Sequence, residues 1–399
     1  MQNSHRDSRW QLSTRLVHAG ERLAAAPGLP TVHPISMSNT YVAPPEVMDE
    51  ILGGAPGYTY GRHHNPTVDA LTHAMAGLEE GEAALAYASG MAAIHAALAA
   101  MELGPGDALL LSRDLYGASL NLVDQLLCPL GIQAETADLT DLAAVEALLS
   151  RLRPRAMLFE LISNPLLRIL DGPALTELAH RYGARVIVDN TFTTPLLARP
   201  LTYGADLVVH SATKYLGGHG DAIGGILVTR PEFYETLYRQ QKLLGTILGP
   251  FEAWLIHRGL KTLDLRFRRQ CQNAQKLAVR LADGDHFLAV HYPALPSHPE
   301  SGRLSTFFPG GEAGAVVTLE LDGGKERVFR FLKALQLVVP ATTVGDVYTL
   351  ALYPAMASHR SQSPAERRAM GITDGMVRIA VGIEALEDIA QDILQAASA

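Results

Sequence analysis

At 399 residues the chain is too long for one ordinary hydrophobic core, so roughly two or three domains are expected. Hydrophobic residues make up 48% and charged residues 19%, the balance of a soluble globular enzyme. A net charge of −8 argues against a nucleic-acid partner, which would be met by a basic stripe, and the scattered Cys128 and Cys271 fit neither a disulfide framework nor a metal site; a reducing, cytoplasmic setting is expected.

The N-terminus, MQNSHRDSRW, is polar and lacks the apolar stretch of a secretory signal. Residues 1–57 are punctuated by Pro27, Pro30, Pro34, Pro44 and Pro45, and an extended arm is expected there. Residues 58–255 alternate short apolar runs (EAALAYAS, DALLLS, AMLFEL, RVIVD, DLVVHS and GGILVT) with helical stretches such as Met91–Met101 and Pro173–Tyr182. That alternation predicts a mainly parallel sheet with helices on both faces. The window Ala83–Met101 carries no charge, but it is rich in alanine and interrupted by Tyr87, Ser89, Gly90 and His95. It reads as strand, turn and helix rather than as a membrane span. After the long helical run HRGLKTLDLRFRRQCQNAQKLAVRLA, strand-like AVVTLEL and MVRIAVGIE flank the helix KERVFRFLKALQ, so residues 256–399 read as a smaller C-terminal α/β domain.

Parallel sheets bind ligands beyond the carboxyl ends of their strands. The residues expected at those ends are Ser89, Asp114, Asn164, Asp189 and the stretch Ser211–Lys214. Lysine is scarce: Lys214, Lys242, Lys261, Lys276, Lys325 and Lys333 are all there are, and Lys214 alone follows a buried strand, in DLVVHSATKYLGG. Restricted water at such a position lowers an amine's pKa, as a Schiff-base lysine requires, although a strand-end ion pair would leave the same trace. Asp189 ends RVIVD and is costly to bury without a partner. A protonated pyridine nitrogen is one partner; an Asx turn with Asn190 and Thr191 is the other reading. In ALAYASGMAAIHAAL a strand passes through Ser89 and Gly90 into a helix whose first N–H groups, on Gly90 and Met91, suit a phosphate.

The segments YTYGRHHNPT, LEEGEAALAYASGMAAI, DLYG, SNPLL, VDNTF, GADLVVHSATKYLGGHGDAIGG, RGLKTLDLR and VRIAVGIE, in this order from Tyr58 to the C-terminus, resemble the pyridoxal-5′-phosphate (PLP) enzymes of cysteine and methionine metabolism. That family includes cystathionine γ-lyase and γ-synthase, methionine γ-lyase and the acylhomoserine sulfhydrylases. The resemblance implies the fold-type I PLP-dependent transferase architecture: an arm (1–57), a PLP-binding large domain (58–255) and a C-terminal small domain (256–399), assembled as a homotetramer of active dimers. It implies that Lys214 holds the cofactor as a Schiff base and moves protons along the substrate, that Asp189 pairs with the ring nitrogen, and that Gly90, Met91, Ser211 and Thr213 bind the phosphate. Tyr116 would stack on the ring and exchange protons with the substrate, and Asn164 would donate to the ring hydroxyl. Tyr60 and Arg62 would reach the phosphate of a neighbouring subunit. Asn164, Thr343 and Arg378 would bind the amino-acid substrate, with Arg378 on its carboxylate; no metal is implied.

Departures from the family pattern fall around the substrate. Thr342 stands where members that handle cystathionine usually carry glutamate, Thr343 replaces a usual serine, and Tyr348 a usual glutamate. Ala118 stands where methionine lyases typically have cysteine, no Lys-Asp pair occurs near Gln241–Lys242, and Ile162 replaces a common proline. Chain length and the segment SHRSQSPAERRAMGITDGMVR lean toward a carbon–sulfur γ-lyase, and the TVGD of Thr343–Asp346 toward a γ-replacement enzyme. An aminotransferase of the same fold would not account for RGLKTL or for the Tyr60 and Arg62 segment. A cofactor-free binding protein would have no use for both Lys214 and Asp189.

Overall fold

A computed structural model describes residues 10–22, 28–360 and 362–399. Most of the polar N-terminal stretch read above against a secretory signal lies outside them, as does Ser361 of the segment that leans toward the lyases. No helix among the described residues is long and apolar enough to cross a membrane.

The large sheet has seven strands: β1 (Ala83–Tyr87), β2 (Ala108–Ser112), β3 (Gln133–Ala137), β4 (Ala156–Glu160), β5 (Arg185–Asp189), β6 (Leu207–Ser211) and β7 (Gly225–Thr229). Their order is β1-β7-β6-β5-β4-β2-β3. Only β7 is reversed: β1 and β6 both pair antiparallel with it, and so run with the rest. The central strands are mostly apolar because both faces are covered, with their charged and polar residues, Glu160, Arg185, Asp189 and His210 among them, at or next to the strand ends. Leu110, Met157, Phe159, Val186, Val188 and Val208 point into one core, whereas Leu109, Leu111, Leu158, Ile187, Leu207 and Val209 point into the other.

Six of the strands coincide with the apolar runs of the sequence. The seventh, β3, reads QAETA and has only β2 as a neighbour, its side chains largely exposed. An edge strand with polar side chains leaves no hydrophobic trace to read.

The expected helices are present at Gly90–Ala99 and Gly172–Arg181. Two expectations are corrected. The arm is not wholly extended, since it holds the short helices Leu12–His18 and Pro45–Leu52. The second begins on Pro45, at the helix position where a missing N–H is harmless. The long helical run is two helices, Pro250–Leu260 and Leu263–Ala282, separated at Lys261–Thr262.

A second sheet contains β8 (Ala289–His291), β9 (Val316–Glu320), β10 (Val339–Pro340), β11 (Leu350–Leu352) and β12 (Met376–Ala380), in the order β10-β11-β12-β9-β8. Apart from the parallel β10–β11 pair it is antiparallel. The helices Leu263–Ala282 and Gly324–Ala334 pack on it, and Leu386–Ala397 packs against both of them. The carboxyl ends of β1, β6, β5, β4 and β2 therefore open along one edge of the large sheet, and the turn before β11 meets that edge.

Candidate active site

A cavity of about 400 Å³ lies at this edge, a size suited to a small organic ligand. Lys214 projects into it just past β6, and its Nζ donates to Thr343 Oγ1 at 2.8 Å. Burial pushes the amine down to about 8, the Arg378 cation adds to this, and Asp346 opposes it. Of the two readings of Lys214 left open above, the ion pair is not made: no carboxylate lies within salt-bridge distance of it among the described residues.

Asp189, at the end of β5, faces the same cavity. Its Oδ1 accepts from the Thr191 amide at 3.0 Å and from the Thr191 hydroxyl at 2.5 Å. The Asx turn is therefore real, and it does not exhaust the carboxylate, which has no cationic side-chain partner within salt-bridge distance among the described residues. Burial raises Asp189, while the Thr191 bonds pull the other way.

Ser89 ends the first turn with an extended backbone, and its hydroxyl caps the helix by accepting from the Ala92 amide at 3.1 Å. The Gly90 and Met91 amides, one and two positions on, open the helix at the cavity wall. A Cβ on Gly90 would stand 2.8 Å from Ser211 Cβ, so this close approach of helix and strand needs glycine. Ser211 and Thr213 line the cavity too, with the Ser211 amide donating to Thr191 Oγ1 at 2.8 Å and the Thr213 hydroxyl tied to Gly224.

Arg378 enters from β12 of the small sheet and is 4% exposed. One Nη donates to Asn164 Oδ1 at 3.3 Å and the other to the Thr343 carbonyl at 2.9 Å, while Nε has no partner. Burial pushes this guanidinium down to about 10. A buried cation without a counter-ion is costly unless an anion joins it.

The geometry thus gathers Lys214, Asp189, Tyr116, Asn164, Gly90, Met91, Ser211, Thr213, Thr343 and Arg378 around one cavity. Tyr60 and Arg62 are not among them. Both face outward, the Arg62 guanidinium 5.5 Å from the Tyr60 ring centre and bonded to the Lys242 carbonyl. Asp114, expected at a strand exit, lies behind the cavity wall, 3.6 Å from Arg168. Glu160, Phe192 and Ser358 line the cavity without having been picked out of the sequence, and Thr191, read there only as part of an Asx turn, lines it too. Glu160 left a signal: it is the one charged residue of AMLFEL and closes its strand as Asp189 closes RVIVD.

A poised amine, a carboxylate without a cationic partner and a helix N-terminus in one cavity fit PLP part by part: aldehyde, ring nitrogen and phosphate. Residues 13–398 match the family model described as Cys/Met metabolism PLP-dependent enzyme. The chain belongs to this family. It is 42% identical to L-methionine γ-lyase of Pseudomonas putida over 87% of each protein. To cystathionine γ-lyase of Bacillus subtilis (strain 168) it is 40% identical, over 96% of this chain and 98% of the relative. Among solved structures, cystathionine γ-synthase from Xanthomonas oryzae pv. oryzae, in complex with aminoacrylate and cysteine, is 36% identical and superposes with a TM-score of 0.90 over 98% of each chain. The protein is a PLP-dependent enzyme of the fold-type I architecture.

Proposed function

We propose that the enzyme is a carbon–sulfur lyase acting by γ-elimination on a sulfur amino acid, of the cystathionine or methionine γ-lyase type. The observation that carries this reading is the pairing of Lys214 with Arg378 across the cavity: a poised amine faces a buried guanidinium that lacks an anion. Similarity to a methionine γ-lyase and a cystathionine γ-lyase over most of the chain supports the reaction class.

PLP supplies an aldehyde for the substrate amine and a ring that takes up electron density from the α-carbon. Lys214 holds the cofactor and, once released by substrate, takes the α-proton and moves protons toward the β-carbon and the leaving sulfur. Asp189 keeps the ring nitrogen protonated. Gly90, Met91, Ser211 and Thr213 receive the phosphate, Tyr116 covers the ring and exchanges protons with substrate, and Asn164 donates to the ring hydroxyl. Arg378, oriented by Asn164 and Thr343, takes the substrate carboxylate through its planar fork. The net reaction consumes water and releases a thiol, 2-oxobutanoate and ammonia.

Three further features belong to this reading. Residues 1–57, 58–255 and 256–399 form arm, cofactor domain and small domain, the first boundary falling before the helix Pro66–Leu78 and the second within Pro250–Leu260. A cytoplasmic setting is supported by the free thiols of Cys128 and Cys271. A homotetramer of active dimers is supported by Tyr60 and Arg62, which face away from their own chain's cavity. The test is a substrate panel of cystathionine, methionine, homocysteine, cysteine and O-acylhomoserines, each with and without added thiol. Release of 2-oxobutanoate from a thioether without added thiol is the expected result. New thioether formed only from an acylhomoserine and a thiol would instead identify a γ-replacement enzyme.

A further inference from the structure

Two neighbouring strands of the large sheet each end in a carboxylate. Glu160 closes β4 and Asp189 closes β5, the two lie opposite one another in the parallel register, and both face the cavity. Their surroundings are unequal. Asp189 accepts two hydrogen bonds from Thr191, and His210 on β6 favours its ionised form. Glu160 accepts one bond, from the Tyr116 amide at 2.9 Å. No cation pairs with Glu160 among the described residues, and Asp114, on the loop after β2, adds a further negative charge nearby.

Carboxylates that share buried surroundings resist ionising together, and the one with more donors keeps the charge. Burial, followed by the charge of Asp189, pushes Glu160 well above the usual carboxylate range, whereas the Tyr116 amide opposes this. Tyr116 begins the helix Gly117–Leu122 and has a half-exposed ring at the cavity, so the backbone bond to Glu160 sets where that ring stands.

We propose that Glu160 is a positioning residue that stays a neutral carboxylic acid in the resting enzyme, seating Tyr116 through its carbonyl oxygen and leaving Asp189 as the single anion facing the cofactor's ring nitrogen. This rests on the roles given above to Asp189 and Tyr116.

Glu160→Gln retains both the acceptor and the neutrality, whereas Glu160→Ala removes the acceptor. The infrared difference between wild type and Glu160→Gln, recorded near neutral pH on cofactor-free and loaded protein, should contain the carbonyl stretch of a neutral carboxylic acid present only in wild type. Cofactor affinity of the Gln variant should stay within about threefold of wild type, while the Ala variant weakens by roughly five- to tenfold, the worth of one hydrogen bond. The visible cofactor band of the Gln variant should titrate with pH as wild type does. Absence of the neutral-acid stretch, or a shifted titration in Glu160→Gln, would overturn the proposal. If Glu160→Ala does not fold, the Gln comparison and the infrared band still decide. Asp189→Asn serves as the separate control: an unchanged cofactor spectrum there removes the role given to Asp189, whereas the infrared band reports on Glu160 alone.

Discussion

Lys214 and Arg378 carry opposite requirements in one cavity. The amine has to lose a proton to attack an aldehyde, and the guanidinium has to keep its charge to hold a carboxylate. Burial beside a cation brings Lys214 down to about 8. Below that value the protonated amine is inert, so capture of added PLP by the cofactor-free protein should quicken about tenfold per pH unit and level off above it. Stopped-flow absorbance would read this; a rate that is flat from about pH 6 to 9 would mean that Lys214 is not the limiting nucleophile, and Lys214→Ala should not capture PLP covalently at all. Arg378 spans Asn164 and Thr343 with two nitrogens, a geometry that a lysine ammonium cannot reproduce. Arg378→Lys should therefore raise KM for the amino acid by roughly ten- to a hundredfold in steady-state assays. An unchanged KM would move the carboxylate clamp elsewhere. Both residues could be found in the sequence, Lys214 by scarcity and position and Arg378 through the family motif. Glu160 left only its charge as a signal, because Leu161 follows it and an apolar run read as strand absorbs it. The Asx turn is one of the two readings of Asp189; its two bonds from Thr191 are present and leave the carboxylate without a cation, so the turn does not exclude the other reading.

Part of the cavity wall is loop, and one arginine ties several of these loops together. Arg168, on the loop after β4, lies 3.6 Å from Asp114 after β2, 3.2 Å from Asp138 after β3 and 3.5 Å from Glu300 of the C-terminal part. It also donates to Thr140 Oγ1 at 2.9 Å. Asp114 precedes Tyr116 by two residues, and Asn164 sits on the same loop as Arg168, so this cluster braces the segments that carry both. Asp114 and Glu300 are largely buried, and carboxylates in that position are expensive to leave unpaired. Arg168→Met should destabilise the protein by about 3 kcal/mol and lower its thermal midpoint, with weaker cofactor binding as a consequence. An unchanged midpoint would show that Arg113, 2.8 Å from Asp138, suffices. Element prediction succeeded where burial leaves a regular pattern, as in β2 and β4 to β6. It failed at β3, whose edge position permits QAETA, and at Lys261–Thr262, where a helix ends inside an unbroken amphipathic pattern. The register that sets Arg378 against Asn164 has no local signature, because it arises from packing two sheets that lie far apart in the chain.

At the scale of the molecule, two residues of the family motif stand apart from the cavity. Tyr60 and Arg62 belong to the family motif YTYGRHHNPT, yet both are directed outward, Tyr60 45% exposed and joined to Thr40 by an isolated bridge. Of the twelve residues given a cofactor or substrate role, ten converge on one cavity, and these two do not. That division was legible only through the family, since nothing in a single sequence says which chain's site a residue serves. If Arg62 completes a neighbour's phosphate site, it contributes a charge-assisted contact to a dianion, worth about 1.5–3 kcal/mol, and an isolated subunit should hold PLP poorly. Two inactive variants supply the test. When Arg62→Ala and Lys214→Ala subunits are unfolded together and refolded at equal amounts, about half the dimers should be mixed. In each mixed dimer one site carries both substitutions and the other carries neither. Activity should return to roughly a quarter of wild type, because half the dimers then hold one sound site of two. The assay is turnover per subunit, with mixed assemblies verified by a tag on one variant. If verified mixed dimers regain nothing, Arg62 serves its own chain, and Tyr60 with it.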